Sequence, residues 1–563
     1  MAEESIYMKK PWLKSYEKGV PESLNYEEIC LPEILDRTAK EFAVKPALIF
    51  QGTTVNFREF KEMVDRFATC LADFGVRKGD AVAILLPNII PCVAAYYAIL
   101  RIGAIAVMNN PLYSDPELDH QFNDSGSKVL ITLDVLAPRM IALRPKTQIK
   151  QIVYTCIGDY LPTLKRVLGR WLKKYPFAEV PAAPDVYAWK DCLAKYPPNP
   201  PAVKNSFDEV AMYQYTGGTT GVSKGVMLTH ANLSKQVQQA RAWFPKFNKG
   251  EEIVLGALPY FHVFGLSVSM NFAIFMGWPQ VLIPRPQPEP LLEAIRNFRP
   301  TFAPLVPTMY IGMLNHPDLK KTDMSCIRGA FSGSAPLPVE VIHNFEKATG
   351  AVIVEGFGMT ETTPVTHVNP FAGGARKVGS IGLPISDTLS RIVDLDTGTT
   401  DMPVGQPGEL IVKGPQVMKG YKGKPEETAA CLKDGWMYTG DIATMDEDGY
   451  FYIVDRKKDM IISGGYNVYP RDIDEVYYEH PKVQEACSIG IPDPKRGENV
   501  KLFVVLKEGE TATQEEMIEY GKTRLAAYKL PVEVEFRKEL PKTNVGKILR
   551  KQLRAEELEK RKK

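Results

Sequence analysis

Residues 215–225 read Tyr-Thr-Gly-Gly-Thr-Thr-Gly-Val-Ser-Lys-Gly, with apolar residues on both sides. Glycines let the backbone approach a ligand closely, and the exposed N–H groups of such a loop form an anion-binding nest. The threonine hydroxyls add donors, and Lys224 adds a charge suited to phosphate. The stretch therefore predicts a phosphate-binding loop between two strands, with a flexible polar turn as the alternative. Its spacing does not fit G-x-x-x-x-G-K-[ST], because Val222 and Ser223 separate the last glycine from Lys224.

The composition is that of a globular chain of more than one domain. The chain has 563 residues, 45% hydrophobic and 24% charged, and a formal net charge of +2. This charge provides no field for nucleic acid. Eight cysteines without a C-x-x-C pair argue against a zinc site or a disulfide scaffold. The acidic N-terminus lacks an apolar segment, so we expect no secretory signal and a location in the cytoplasm.

Short apolar runs alternate with amphipathic stretches from residue 47 to about 365, which predicts an α/β fold. Between about 378 and 457, closely spaced turn signals predict a small β-rich subdomain. After Asp455-Arg456-Lys457-Lys458 the pattern changes again, and a compact α+β domain is expected. The predicted domains are 1–457, which includes the β-rich part, and 458–563, with a hinge at the basic run.

The apolar segment Ile89–Val107 has the length of a membrane span, but Pro91 and Arg101 interrupt it. A buried βαβ unit is the better interpretation, with strands at Ala81–Leu86 and Ala104–Val107 and a helix at Cys92–Leu100. We expect the charged tail 554–563 to be a solvated or frayed helix.

Glu355-Gly356-Phe357-Gly358-Met359-Thr360-Glu361 follows an apolar run and so lies at a strand end, where open α/β sheets bind ligands. Glycines beside an aromatic ring allow a flat ligand to lie against the backbone. Glu361 supplies a hard oxygen ligand for Mg²⁺. A structural glutamate at a buried strand end is the alternative.

Two further segments carry candidate groups. Tyr438-Thr439-Gly440-Asp441 presents a carboxylate that can accept both hydroxyl hydrogen bonds of a ribose, although a turn aspartate explains it equally well. Arg456 follows a strand and could complete the contact with the ribose, with simple pairing to a carboxylate as the alternative. Pro541–Ile548 is a loop bounded by proline and glycine that presents Lys547.

These segments, in this order, resemble the adenylate-forming superfamily of acyl-CoA synthetases, peptide-synthetase adenylation domains and luciferases. The resemblance covers about residues 10 to 555 and is closest to bacterial long-chain fatty acyl-CoA synthetases. It is carried also by Asn110–Tyr113, Gly379–Pro384, Val454–Ile461 and Leu540–Arg550.

The resemblance implies roles residue by residue. The triphosphate is held by Tyr215, Thr216, Gly217, Gly218, Thr219, Thr220, Gly221 and Lys224. Magnesium is bound by Thr216 and Glu361, which with Lys547 form the implied catalytic set. Adenine is enclosed by Gly333, Ser334, Ala335, Pro336, Glu355, Gly356, Phe357, Gly358, Met359 and Thr360. The ribose is bound by Asp441 and Arg456.

The remaining implied roles concern the acyl and thiol substrates. His262, in Pro259–Gly265, lies between the nucleotide and acyl sites, with a satisfied core histidine as the alternative. Lys458 is the hinge pivot, and Gly464 and Gly465 line the thiol's approach. Many relatives have tyrosine at Phe357, and some long-chain members have a tryptophan gate where this chain has Gly265-Leu266, so the gating of the acyl tunnel is open here.

The implied reaction joins a medium- to long-chain fatty acid to coenzyme A. The carboxylate attacks the α-phosphorus of ATP and expels pyrophosphate, and a thiol then displaces AMP after the C-terminal domain rotates. Alternatives are an aryl- or short-chain acyl-CoA ligase, an acyl-AMP ligase feeding a carrier protein, and a catalytically silent nucleotide- or lipid-binding module. The sequence does not decide between a monomer and a homodimer.

Two features concern lipid. Val306, Met309, Tyr310 and Phe331 are predicted to line a fatty-acid tunnel, although core packing explains them equally well. Residues 161–175 place leucines at helical spacing between basic residues, with Trp171 among them. This predicts either a helix on the inner membrane surface or a helix packed on its own domain.

Overall fold

A computed structural model describes residues 5–171, 176–216, 223–371, 374–464, 466–543 and 547–562, without the side chains of 164, 168, 170, 171 and 562. The fold is mixed α/β, as the sequence predicts. Three sheets lie before residue 457 and a fourth after it, counted over these described ranges.

The first large sheet carries the phosphate-loop strands at one end. Its core strands are parallel, and the last hairpins are antiparallel. Its described strands run in the order Gly420–Tyr421, Lys224–Thr229, Val210–Thr216, Ile105–Met108, Ala81–Leu85, Val129–Leu133, Gln151–Thr155 and Val186–Ala188.

The predicted βαβ unit is confirmed within this sheet. Helix Ile90–Arg101 connects the parallel strands Ala81–Leu85 and Ile105–Met108 and is buried all round, from Ile90 to Leu100. A helix without a polar face belongs in the centre of a protein core. Among the described residues, no helix combines the length and the apolar character that crossing a membrane requires.

The second large sheet contains strand Ile353–Gly358, near one edge. It is parallel from Pro46–Phe50 through Ile353–Gly358 and antiparallel at both edges. Its described strands run in the order Leu383–Pro384, Val365–Val368, Ile353–Gly358, Gly329–Ser332, Phe302–Leu305, Val254–Gly256, Gln280–Leu282, Pro46–Phe50 and Thr53–Asn56.

The predicted β-rich part is an antiparallel sheet, and the part after it is α+β. The described strands of the β-rich sheet are Leu389–Val393, Gly408–Lys413, Leu432–Lys433, Trp436–Met445 and Phe451–Arg456. The described strands of the last sheet are Ile461–Ser463, Tyr466–Val468, Val483–Asp493, Gly497–Leu506 and Pro531–Phe536.

Helices cover both large sheets and the last one. The described α-helices are Leu31–Glu41, Phe57–Asp73, Ile90–Arg101, Asp115–Ser125, Ala137–Leu143, Thr163–Trp171, Trp189–Lys195, His230–Trp243, Phe272–Met276, Pro288–Phe298, Pro307–Leu314, Val339–Thr349, Pro425–Cys431, Pro470–Tyr478, Gln514–Lys522 and Arg550–Lys562. Gly265–Asn271 forms a π-helix.

The expectation for the tail was only partly right. Arg550–Lys562 is helical, but Leu553 is fully buried, and Glu557 is 4% exposed. Glu557 accepts a hydrogen bond from Lys501 Nζ at 2.6 Å, within a cluster that also contains Glu533 and Glu535. The helix therefore packs on the last sheet, because one leucine and one paired carboxylate among its charges face inward.

Candidate active site

A cavity of about 990 Å³ lies where the two large sheets, the β-rich sheet and the C-terminal part meet. The carboxyl ends of parallel strands from both large sheets border it, including Met108, Thr216 and Ser332. Ligands bind at this edge of open α/β sheets. The cavity has an apolar arm and a polar region, which holds most of those predicted site residues that the structure describes.

Two strands flank the predicted phosphate loop, as the sequence predicts. Val210–Thr216 and Lys224–Thr229 are antiparallel, with Thr216 opposite Lys224, and both residues line the cavity. Tyr215 also lines it, and its hydroxyl donates to Asp124 Oδ2 at 2.5 Å. Of the other predicted loop residues, Gly217, Gly218, Thr219, Thr220 and Gly221 lie outside the described residues.

Glu361 lies on the cavity wall and is 8% exposed. Its Oε1 accepts a hydrogen bond from the Tyr421 hydroxyl at 2.7 Å, and its backbone oxygen accepts from Met418 N. Burial and the carboxylate raise the pKa of Tyr421, so its proton stays in this bond. The Lys224 ammonium lies 4.8 Å from the Tyr421 ring centroid. Tyr421, which the sequence did not suggest, thus connects the loop lysine to the carboxylate.

The predicted adenine segment forms a second wall. Gly356, Phe357, Gly358, Met359 and Thr360 line the cavity at the end of strand Ile353–Gly358. A Cβ on Gly358 would lie 1.9 Å from the Pro364 carbonyl oxygen, so no larger residue fits there.

The opposite adenine segment contributes fewer residues than predicted. Gly333 and Ser334 line the cavity, whereas Ala335 and Pro336 do not, because the chain turns away after Ser334, whose φ is +73°. Glu355 does not line it either, because its carboxylate is bound by a neighbouring loop. Its Oε2 accepts from Gly379 N at 2.8 Å, and burial raises its pKa to about 7.

Asp441 and Arg456 face each other on paired strands. Arg456 Nε donates to Asp441 Oδ1 at 2.9 Å. Asp441 is 5% exposed and lies behind the wall formed by Gly440 and Arg456, which both line the cavity. The arginine holds the carboxylate in one orientation, and its own charge is presented to the cavity.

Lys547 reaches the same cavity from the C-terminal part. It is half-buried, its backbone N–H donates to Thr543 Oγ1 at 3.1 Å, and its backbone oxygen accepts from Thr543 N at 2.7 Å. Burial and the nearby Arg456 lower the pKa of Lys547 to about 8. His262 also lines the cavity, and burial together with the Lys547 charge lowers its pKa to about 4. His262 is therefore neutral at pH 7.

A profile of the AMP-binding enzyme family matches residues 35–422, and one of the AMP-binding enzyme C-terminal domain matches residues 472–547. The chain belongs to the AMP-binding enzyme family. It is 45% identical over 554 residues to a long-chain-fatty-acid–CoA ligase of Bacillus subtilis, with 98% of each chain covered. It is 39% identical over 556 residues to one of Escherichia coli O6:H1, again with 98% of each covered.

Solved structures of related AMP-binding enzymes share the fold. The anthranilate CoA ligase AuaEII in complex with anthranoyl-AMP has a TM-score of 0.86 and 26% identity, over 95% of this chain and 98% of that one. ATP-bound MatB from Rhodopseudomonas palustris has a TM-score of 0.83 and 28% identity, over 94% and 99%.

In this AMP-binding enzyme, three of the four predicted acyl-tunnel residues do not line the cavity. Val306, Met309 and Tyr310 pack in a core cluster around helix Pro307–Leu314, and the Tyr310 hydroxyl donates to the Phe331 carbonyl oxygen at 2.9 Å. These side chains pack in the protein core, which was the alternative interpretation of the sequence. Phe331 alone of the predicted set lines the cavity.

Leu266 lies away from the cavity as well. It is fully buried in the π-helix, whereas its neighbours Ser267 and Val268 line the cavity. A π-helix turns by fewer degrees per residue than an α-helix, which changes the face on which each side chain lies.

Gly464, one of the two predicted thiol-path residues, does not line the cavity. Gly464 is exposed in the turn between Ile461–Ser463 and Tyr466–Val468, and its N–H donates to the Arg496 carbonyl oxygen at 2.8 Å. Gly465 lies outside the described residues. Lys458, in contrast, lines the cavity.

Helix His230–Trp243 forms much of the apolar arm and was not identified from the sequence. Thr229 caps it, since its Oγ1 accepts from Asn232 N at 3.1 Å. Gln236, Ala240 and Trp243 line the cavity at intervals of four and three residues, which places them on one face. Phe244, Phe264 and Phe331 add apolar surface from neighbouring elements.

Proposed function

We propose that this chain is an ATP-dependent fatty acid:CoA ligase. It activates a medium- to long-chain fatty acid as acyl-AMP with release of pyrophosphate, and then transfers the acyl group to the thiol of coenzyme A with release of AMP. The observation that carries this proposal is the position of Lys547, which enters a cavity with phosphate-type groups at one end and an apolar arm at the other.

In the first half-reaction a carboxylate oxygen attacks the α-phosphorus, and the bond to the bridging oxygen of pyrophosphate breaks. Both reactants are anions, so the enzyme must suppress their repulsion and fix their approach. Lys547 supplies a positive charge at the junction of the two substrates. Lys224 and Thr216 lie at the phosphate end, and Arg456, which Asp441 orients from behind the cavity wall, faces the ribose side. His262 is neutral at pH 7, so it adds no positive charge of its own at this junction.

Magnesium fits the oxygen donors of the polar region. Among the described residues, no group of three or more histidine, cysteine, aspartate or glutamate side chains could hold a metal ion. Glu361 and the Thr216 hydroxyl provide the hard oxygen ligands that Mg²⁺ prefers, with substrate phosphates and water completing such a site. Mg²⁺ would neutralise charge on the triphosphate. Tyr421 would keep Glu361 oriented toward it.

The second half-reaction requires Lys547 to leave so that a thiol can reach the acyl carbon. We place the pivot between residues 457 and 458. Lys457 N–H donates to the Gly440 carbonyl oxygen and its Nζ contacts Glu409, so Lys457 is held by the β-rich sheet. The Lys458 carbonyl oxygen accepts from Arg554 Nη1 at 2.9 Å, so it is held by the C-terminal helix.

This change of partners over one peptide unit supports domains at 1–457 and 458–563. Rotation about it would withdraw Lys547 and bring the hairpin that carries Gly464 toward the cavity. A double-cysteine variant that cross-links the two parts in the present arrangement should retain adenylation and lose thioester formation. Retention of both would contradict a required rotation.

The function is tested by supplying ATP with acids of increasing chain length, benzoate and anthranilate, with and without CoA. Acid-dependent pyrophosphate release, AMP formation and a CoA thioester from fatty acids support the proposal. Preference for the aromatic acids would indicate an aryl-CoA ligase, and acyl-AMP that accumulates despite CoA would indicate a ligase for a carrier protein. No acid-dependent release would indicate a binding module.

Contact with a lipid surface is a separate proposal for residues 161–175. Thr163–Trp171 is helical, and Val167 is 60% exposed. Lys165 Nζ donates to the Gln51 carbonyl oxygen at 3.3 Å, and Leu161 is buried, so one end of the segment packs on the protein. Residues 172–175 lie outside the described residues. Flotation with anionic vesicles should be reduced by Val167→Asp, while unchanged flotation would contradict contact through this face.

A further inference from the structure

The apolar arm of the cavity lies between helix His230–Trp243 and strand Val365–Val368 and has two marked ends. At the polar end, Gln236 Oε1 accepts a hydrogen bond from Val365 N at 2.8 Å. At the far end, Trp243 Nε1 lies 3.5 Å from the Asn369 carbonyl oxygen, toward which it donates. The helix and the strand therefore run side by side over the length of the arm.

The helix and the strand give two independent measures of the length of the arm. The seven steps along the helix from Gln236 to Trp243 rise about 10 Å. The four steps from Val365 to Asn369, the residue that follows the strand, extend about 13 Å. An extended chain with C–C bonds of about 1.5 Å spans this length with about eight to ten carbons.

Trp243 closes the far end of the arm. Its side chain lines the cavity and is 2% exposed, and its ring packs edge-on against Tyr16, with centroids 5.1 Å apart and an interplanar angle of 85°. The Tyr16 hydroxyl in turn donates to the Pro384 carbonyl oxygen at 2.6 Å. Tyr16 is only half-buried, so the ring that packs against the tryptophan is itself partly exposed at the surface.

We propose that Trp243 determines the acyl chain length, as a stop against which chains of about eight to ten carbons end. This inference rests on the proposed ligase function and adds a specificity-determining residue to it. Longer chains fit only when the indole ring leaves its position against Tyr16 and opens the route beyond it. The stop comes from the helix that follows the phosphate loop, and Leu266 takes no part in it because it faces the core.

A substitution elsewhere on the same helix should shorten the acyl chain that the arm accepts. Ala240 lies on the same face, about one turn nearer the polar end, and its small side chain leaves the arm open at that level. A leucine at 240 should therefore stop the chain before it reaches Trp243. The order of the two positions along the helix predicts the order of the chain-length limits.

The experiment measures kcat/KM for acid-dependent pyrophosphate release with butanoate, octanoate and hexadecanoate. Trp243→Ala should raise the ratio of hexadecanoate to octanoate by about tenfold or more. Ala240→Leu should lower the ratio of octanoate to butanoate by a similar factor. Trp243→Phe, which keeps an aromatic ring of smaller size, should give a profile between wild type and Trp243→Ala.

Each outcome either supports or contradicts the proposed role of Trp243. Equal losses for all three acids in Trp243→Ala, or an unchanged hexadecanoate to octanoate ratio, would mean that Trp243 is only part of the core, and the proposal would fail. If Trp243→Ala does not fold, as judged by its melting temperature, the Phe and Ala240→Leu profiles decide it. If no acid releases pyrophosphate from the wild type, the ligase function itself fails, which is a different result.

Discussion

Replacing Lys547 by alanine separates the two half-reactions that the cavity is proposed to perform. The lysine is the charged side chain that the C-terminal part brings to the junction of the polar region and the apolar arm. Because its backbone is held by Thr543 through both N–H and C=O, the substitution removes the ammonium group and leaves the loop in place. At pH 7 most of this group is protonated, since its lowered pKa is still about 8.

The size of the effect follows from the environment of the charge. Two unit charges 4 Å apart interact by about 4 kcal/mol at an effective dielectric constant of about 20. Lys547 is half-buried, so water screens part of this interaction, and about 3 kcal/mol is a reasonable loss. This corresponds to a decrease of about 10²-fold in the rate of adenylate formation.

The assay measures each step by itself. Acid-dependent exchange of pyrophosphate into ATP reports adenylate formation, and thioester formation from supplied acyl-AMP and CoA reports the second step. Lys547→Ala should lose about 10²-fold in the first and little in the second. Similar losses in both steps, or a first-step loss below about tenfold, would refute the assignment.

Three other outcomes test the polar region. The kcat/KM for adenylation should fall as pH rises through about 8, because deprotonation of Lys547 removes its charge. The variant Lys547→Arg should be slower than wild type, but its kcat/KM should not depend on pH in this range. A flat pH profile of the wild type would contradict this prediction. Glu361→Gln should raise the Mg²⁺ concentration for half-maximal activity by about tenfold and Tyr421→Phe by less, since only the first removes the carboxylate charge; the opposite order would exclude Glu361 as the ligand. Asp441→Asn should raise KM for ATP by about tenfold and leave KM for the acid unchanged; a selective rise in KM for the acid would count against a ribose role.

The polar region could be predicted because its signals are local in the sequence. Glycines and threonines between apolar runs indicate a loop that strands hold, and Thr216 and Lys224 do lie opposite each other at the ends of two strands. Gly358 is likewise required by the local backbone, because its close approach to Pro364 permits no side chain. In such places the residue type itself reports the backbone geometry.

The apolar arm could not be predicted because its residues look like any other core residues. Helix His230–Trp243 is buried on several faces, so its pattern does not indicate which face borders a cavity. Helix Pro307–Leu314 is similarly apolar, and the sequence interpretation assigned it to the tunnel, although Tyr310 packs in the core. Only the three-dimensional pairing with strand Val365–Val368 distinguishes the two. Tyr421 was missed for a related reason, because its partner Glu361 lies 60 residues away in the sequence.

The nucleotide product is the most direct test of the central claim, that the cavity joins a carboxylate to AMP. With a fatty acid, CoA and MgATP, the enzyme should form AMP, pyrophosphate and acyl-CoA in equal amounts, and acyl-AMP should accumulate when CoA is left out. Formation of ADP and phosphate in step with acyl-CoA would contradict the account, because the bond broken would then lie at the γ-phosphorus.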